Sequence, residues 1–90
     1  MSTDIRHEKV KEVLTRWNPL GDEADLVEDL NDYSTEALDI LSLIVMKGKK
    51  ASRAHVIRDV LNGAFGLSLT VKECEAAAAE IMEIERNYPE

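Results

Sequence analysis

Between Ser34 and Lys47 the chain places eight apolar side chains in fourteen residues: Ala37, Leu38, Ile40, Leu41, Leu43, Ile44, Val45 and Met46. Wound into a helix, they surround nearly its whole circumference. A helix that is apolar all round has no face suited to water and has to be buried. In a chain of 90 residues this allows two arrangements. Either the helix is the central element of the fold, or one of its faces meets another subunit. Chains of this length seldom divide, so residues 1–90 are expected to form a single helical domain.

The flanking segments supply further helices. Val10, Val13, Leu14 and Trp17 recur at i, i+3, i+4 and i+7, which predicts a helix over about Thr3 to Trp17. Ser2, Thr3 and Asp4 are all suited to its N-cap. Asn18-Pro19 stops it, because the residue before proline is pushed out of the right-handed α region, and Leu20-Gly21 completes a turn. Ser52 can cap a helix running to about Phe65, with a stripe of Ala54, Ile57, Val60, Leu61, Ala64 and Phe65 and a terminating Gly66. Thr70-Val71-Lys72-Glu73 forms a capping box, and Leu69 can staple onto Cys74. The last helix then turns Cys74, Ala77, Ala78, Ile81 and Ile84 or Glu85 inward, and the alanines at 76–79 let a neighbour approach closely. Residues 22–33 are ambiguous. Leu26, Val27, Leu30 and Tyr33 have helical spacing, yet seven positions are Asp, Glu or Asn, so a short helix within an acidic connection is expected. No alternating run suggests a strand. The expected fold is all-α, a compact antiparallel bundle of four short helices, or five if the acidic connection forms one.

The formal charge of −7 is unevenly distributed. Residues 1–16 carry four Lys/Arg against three Asp/Glu, a net +1, while residues 17–46 hold eight carboxylates and no Lys or Arg, a net −8. Residues 47–63 return to +4 and residues 64–90 to −4. Phosphate binding depends on neutralising cations, so neither a nucleic acid nor an anionic membrane is an expected partner. The basic turn Lys47-Gly48-Lys49-Lys50-Ala51-Ser52-Arg53 superficially suits a helix-turn-helix. The following helix, however, spends its best positions on apolar packing, so the turn reads better as a cationic helix end and an internal partner for the −8 segment. No stretch is long and apolar enough for a membrane span, and MSTDIRHEKVK does not read as a signal peptide. The cytoplasm is the expected location.

Catalytic and metal-binding patterns find little support. A calcium loop beginning at Asp29 would supply Asn31, but would place Ser34 where glycine is needed and Ile40 where a glutamate is needed. Cys74 is the single cysteine and sits on the inward face of its helix, while His7 and His55 read as ordinary surface histidines. Nothing local supports a Cys74–His55 pair, and neither an enzyme nor a cofactor is expected. Trp17, the only tryptophan, reads as a lid packed under the proline turn.

Trp17-Asn18-Pro19-Leu20-Gly21 resembles a turn found in a family of small uncharacterised bacterial proteins, a domain of unknown function known mainly from bacilli. The likeness continues through the acidic segment Asn31-Asp32-Tyr33-Ser34-Thr35-Glu36 and through Phe65-Gly66 and Glu73-Cys74. It covers most of the chain and implies a helical fold with no assigned activity. The turn and the tyrosine segment are also similar to parts of bacterial toxin-immunity proteins, among them the acidic four-helix inhibitors of nuclease bacteriocins. The paired-tyrosine motif of those inhibitors is absent.

The functional expectation is a non-enzymatic domain that binds another protein, with a basic protein as the partner. The surface expected to serve it is Asp22, Glu23, Asp25, Glu28, Asp29, Asp32, Tyr33 and Glu36, with Leu26, Val27 and Leu30 among the carboxylates. Two alternatives use the same charge: an immunity-type inhibitor of a basic protein, and a small metal-dependent enzyme or regulator built on the carboxylates of Asp22–Asp39. A homodimer through residues 37–46 is a third arrangement, beside a monomer.

Overall fold

The computed structural model of the chain describes residues 2–27, 30, 33–48 and 52–88. Helix α1 spans Ser2–Trp17, α2 Ser34–Lys47, α3 Arg53–Phe65 and α4 Val71–Asn87, and a short 3-10 helix occupies Gly21–Leu26. The all-α bundle is therefore as expected, with the acidic connection supplying the fifth, short helix. The caps expected from Ser2, Thr3 and Asp4 fall on side chains outside those described, as do Lys49, Lys50, Ala51 and Pro89.

Local chemistry sets the helix ends. The Ser52 side chain accepts from the His55 amide at the start of α3, and both halves of the Thr70/Glu73 capping box are formed at the start of α4. Gly48 and Gly66 close α2 and α3 at φ 83° and 63°, a region that costs glycine nothing because it lacks a Cβ. Asn62 then spans the α3–α4 loop. Its side-chain amide donates to the Leu69 carbonyl at 3.1 Å and its oxygen accepts from the Leu69 amide at 2.9 Å.

The helices form a ring in which α1 packs on α2 and α4, and α3 packs on the same two. End-to-end contacts show that α4 runs antiparallel to α1 and α3, and α3 antiparallel to α2. Arg6 near the start of α1 donates to the carbonyls of Glu85 and Tyr88 at the end of α4. Arg53 at the start of α3 meets Glu85, and the Tyr33 ring at the start of α2 meets the edge of Phe65 at the end of α3, centroids 6.1 Å apart at 89°. The shared core includes Val10 and Leu14 from α1, Ile40 from α2, Val56, Ile57 and Leu61 from α3, and Cys74 and Ile81 from α4. Of the four alanines, Ala77 and Ala78 are buried and Ala76 and Ala79 face solvent.

The ring corrects the expected role of α2, which is not central because no helix is. Ala37, Ile40, Leu41 and Ile44 face inward, while Val45 is 61% and Met46 79% exposed and Leu38 is about half exposed. Of the two arrangements its composition allows, the chain leaves the second open, with three large apolar side chains turned to solvent beside Asp39 and Ser42.

Glu85 joins three helices at one end of the bundle. Its carbonyl takes the Arg6 guanidinium, and its carboxylate takes Arg53 through two bonds of 2.8 and 3.1 Å. The side chains of this pair are only 12% and 17% exposed, so solvent screens them weakly. Glu85→Ala keeps the carbonyl for Arg6 but leaves the Arg53 charge without its carboxylate. We expect a loss of about 2–3 kcal/mol, as for a charge-assisted bond, not the ~0–1 of an exposed pair. Urea unfolding should show a lower midpoint at unchanged slope.

Candidate functional site

The turn after α1 and the first turn of α2 are one structure. Asn18 leaves the helix in the left-handed region at φ 50°, its amide donating to Leu14 at 2.7 Å. Asparagine tolerates this conformation better than most residues. Pro19 follows, and the Asn18 side-chain amide closes the turn on the Gly21 carbonyl at 3.2 Å. The remaining Asn18 oxygen accepts from the Tyr33 hydroxyl at 2.7 Å, and that hydroxyl accepts from the Leu20 amide at 3.3 Å. Tyr33 is thus 2% exposed, its ring in the core and its polar tip satisfied. Burial pushes its phenol above the ordinary range, and the nearby Glu36 charge adds to the rise. Trp17 is half-buried against the core beside this turn, the lid that its position suggested.

Glu36 is the second buried member of the expected partner surface. It lies one turn after Tyr33, beside Ala37 on the inward face of α2, and is only 9% exposed. Its Oε1 atom is buried without a hydrogen-bond partner. Burial raises the carboxyl above the ordinary range, a hydrogen bond from its own amide opposes this, and the Asp39 charge adds to it. Next to it, His7 reaches from α1 to the Ser34 carbonyl at 2.8 Å. A carbonyl can only accept, so Nε2 carries the proton. His7 is therefore a half-buried tie between α1 and α2 and not a free surface histidine.

The sequence-derived partner surface therefore divides. Asp22, Glu23 and Asp25 are exposed on the 3-10 helix, and Leu26 beside them is 80% exposed. Val27 and Leu30 pack partly on the core. Tyr33 and Glu36 are removed from the surface, because the left-handed Tyr33 turns the chain so that both side chains point into the bundle. Glu28, Asp29 and Asp32 lie outside the described residues. The ion pairs found among the described residues join α1, α3 and α4, or lie within them, and none takes in Asp22, Glu23, Asp25 or Asp39. Arg53 of the basic turn meets Glu85.

Catalytic arrangements are weakly represented. Cys74 is fully buried, and burial, with Glu73 adding its charge, pushes its thiol up, away from the nucleophilic thiolate; His55 is exposed. Among the described residues no three of His, Cys, Asp and Glu stand close enough to hold a metal ion, and no helix is long and apolar enough to cross a membrane.

The raised Glu36 carboxyl has a signed consequence for stability. A group whose folded value lies above its unfolded one favours folding in its protonated form. That contribution is complete below the ordinary carboxyl range, near 4.5, and is lost as pH rises through the folded value. Glu36→Gln fixes the neutral form. Urea midpoints of the two proteins should be close at about pH 4 and diverge in favour of Gln towards about pH 7. A gap independent of pH would show that Glu36 folds without a raised carboxyl.

Neither a curated protein nor a solved structure gives a match to the chain. A family model does, over residues 9–88, which takes in the turn at Asn18, the Tyr33 contact and all but the first turns of α1. The chain belongs to the family described as Domain of unknown function (DUF1871).

Proposed function

We propose that the protein works without catalysis, by binding a basic protein through the acidic 3-10 helix Gly21–Leu26. The observation that carries this is the combination of Asp22, Glu23 and Asp25, all exposed and outside the fold's ion pairs, with the exposed Leu26 among them. Carboxylates that the fold does not use keep their field available to an approaching cation, and a leucine beside them gives a docked partner apolar area to cover. Charge of this kind steers encounter and raises the on-rate more than the final affinity. An immunity-type inhibitor of a basic protein is one form of this function, and the cytoplasm is its proposed location.

Captured from lysate on immobilised protein, the partner should be basic. It should be retained at about 50 mM salt and largely lost at about 500 mM, where charges more than a few ångströms apart are screened. Replacing Asp22, Glu23 and Asp25 together by Asn, Gln and Asn should abolish the low-salt capture. A partner held equally by that variant would place the binding surface elsewhere.

A second reading rests on a different observation, the exposed Leu38, Val45 and Met46 of α2. Large apolar side chains turned to solvent on one helix, beside Asp39 and Ser42, favour a homodimer through α2. Sedimentation at about 10 µM, a concentration at which a micromolar dimer is populated, should then show a dimer that Val45→Asp returns to monomer. A clean monomer for the unaltered chain removes this reading.

A further inference from the structure

We propose that the Asn18–Leu20 turn and the first turn of α2, Tyr33–Ala37, open together as a single latch held by the Tyr33 side chain, and that opening brings the Tyr33 ring and the Glu36 carboxylate to the surface. In the closed form that surface presents Asp22, Glu23, Asp25 and Leu26. The latch therefore sets whether an aromatic ring and a further carboxylate join them. Its bearing on partner binding rests on the function proposed above; the opening itself does not and is tested on the free chain.

Two unfavourable features meet at this helix start. Tyr33 is the N-cap of α2 at φ 62° and ψ 31°, and no side-chain hydrogen bond caps the helix. A bulky side chain is an outlier in the left-handed region and persists there only when its surroundings hold it. Three residues on, the Glu36 Oε1 atom is buried with no partner. The other long helix starts described are ordinary by comparison, capped by Ser52 in α3 and by Thr70 and Glu73 in α4.

The contacts that resist opening run largely through one residue. The Tyr33 ring packs edge-on against Phe65, and its hydroxyl holds both Asn18 and Leu20, thirteen to fifteen residues earlier in the chain. Added to these are His7 on the Ser34 carbonyl, the bonds of the Tyr33 and Ser34 amides to Leu30, and the burial of Leu20 and Ala37 in the core. If the ring leaves, Asn18 and Leu20 lose their partner at the same moment, Tyr33 is free to relax to an ordinary backbone conformation, and the Glu36 carboxylate gains water. Strain on one side and a single shared anchor on the other are the conditions for a cooperative local opening below the global unfolding free energy.

Native-state hydrogen exchange on the whole chain reads this directly. The Leu20 amide is bonded to the Tyr33 hydroxyl, and the Tyr33 and Ser34 amides are bonded to the Leu30 carbonyl. In the latch these three amides exchange through one opening. Their protection factors and urea dependence should agree within about three-fold and lie about 100-fold below those of Ile57 and Ile81 in the core. Glu36→Leu removes the unpartnered carboxylate and should raise all three by about ten-fold while preserving their agreement. Tyr33→Phe keeps the ring but drops the hydroxyl, and should release Leu20 from the group. Independent exchange of Leu20 in the unaltered protein overturns the proposal, because simple fraying of α2 predicts that result. Protection of all three amides equal to that of Ile57 and Ile81 overturns it as well. Should Glu36→Leu fail to fold, the unaltered chain and Tyr33→Phe still decide.

Discussion

The Tyr33 hydroxyl is a small group with a large share in the architecture. It donates to Asn18 and accepts from Leu20, so the exit of α1 and the entry of α2 are fixed to one atom. The bond could not form with Tyr33 in a right-handed turn facing solvent, because the ring has to point into the bundle to reach Asn18. The left-handed backbone at Tyr33, the burial of its ring against Phe65 and the inward turn of Glu36 are therefore consequences of one contact. Its net worth in free energy is that of an ordinary hydrogen bond. Its structural worth is that it sets the path of an otherwise acidic, weakly apolar connection.

At the opposite end of α3 a different chemistry does the joining. Glu85 meets Arg6 through its carbonyl and Arg53 through its carboxylate, which ties α1 and α3 to α4. The two fastenings differ in kind: a neutral hydroxyl ties the exit of α1 to the entry of α2, and a shielded ion pair ties α3 to α4. A bundle of this kind needs such specific ties, because a core of Leu, Ile, Val and Ala packs well but discriminates poorly between helix registers.

Much of the helical framework could be read from residue order. Periodicity places the stripes of α1, α3 and α4, except for Ala64, which is exposed, and the Thr70/Glu73 box and Ser52 mark helix starts whose bonds are present in the structure. These features are legible because partner and signal lie within four residues of each other. The errors have the opposite character. Tyr33 and Glu36 stand among carboxylates, so sequence spacing assigns them to the surface, while their burial is decided by Asn18 and Phe65, far away in the chain. His7 is tied to Ser34 and Arg53 to Glu85 across 27 and 32 residues, with no local sign of either. Val56 is in the core although it lies off the apolar stripe of α3, because a helix with two packed neighbours buries more than one line of residues. A tyrosine in an acidic segment following an Asx-Pro turn is the one signal that could have disclosed the contact, since asparagine suits a left-handed turn position and both side chains can hydrogen-bond.

The distribution of charge gains a different meaning once the ties are known. A −8 stretch followed by a basic turn suggests mutual neutralisation, and a fold that used it so would have no acidic surface to offer. In the structure Arg53 meets Glu85, and Asp22, Glu23 and Asp25 stand exposed, outside the described ion pairs, on a 3-10 helix that contributes no buried residue of its own. Asp22 and Glu23 stand in the first turn of that helix, where its backbone amides favour them, but carboxylates this close also repel one another and add nothing to the core. The basic partner proposed above would supply a cation for them, and the turn that precedes them is held in place by the same Tyr33 contact that organises the bundle. The acidic surface and the fold's most unusual backbone position share this turn, so a basic partner of the proposed kind is expected to act on the second by engaging the first.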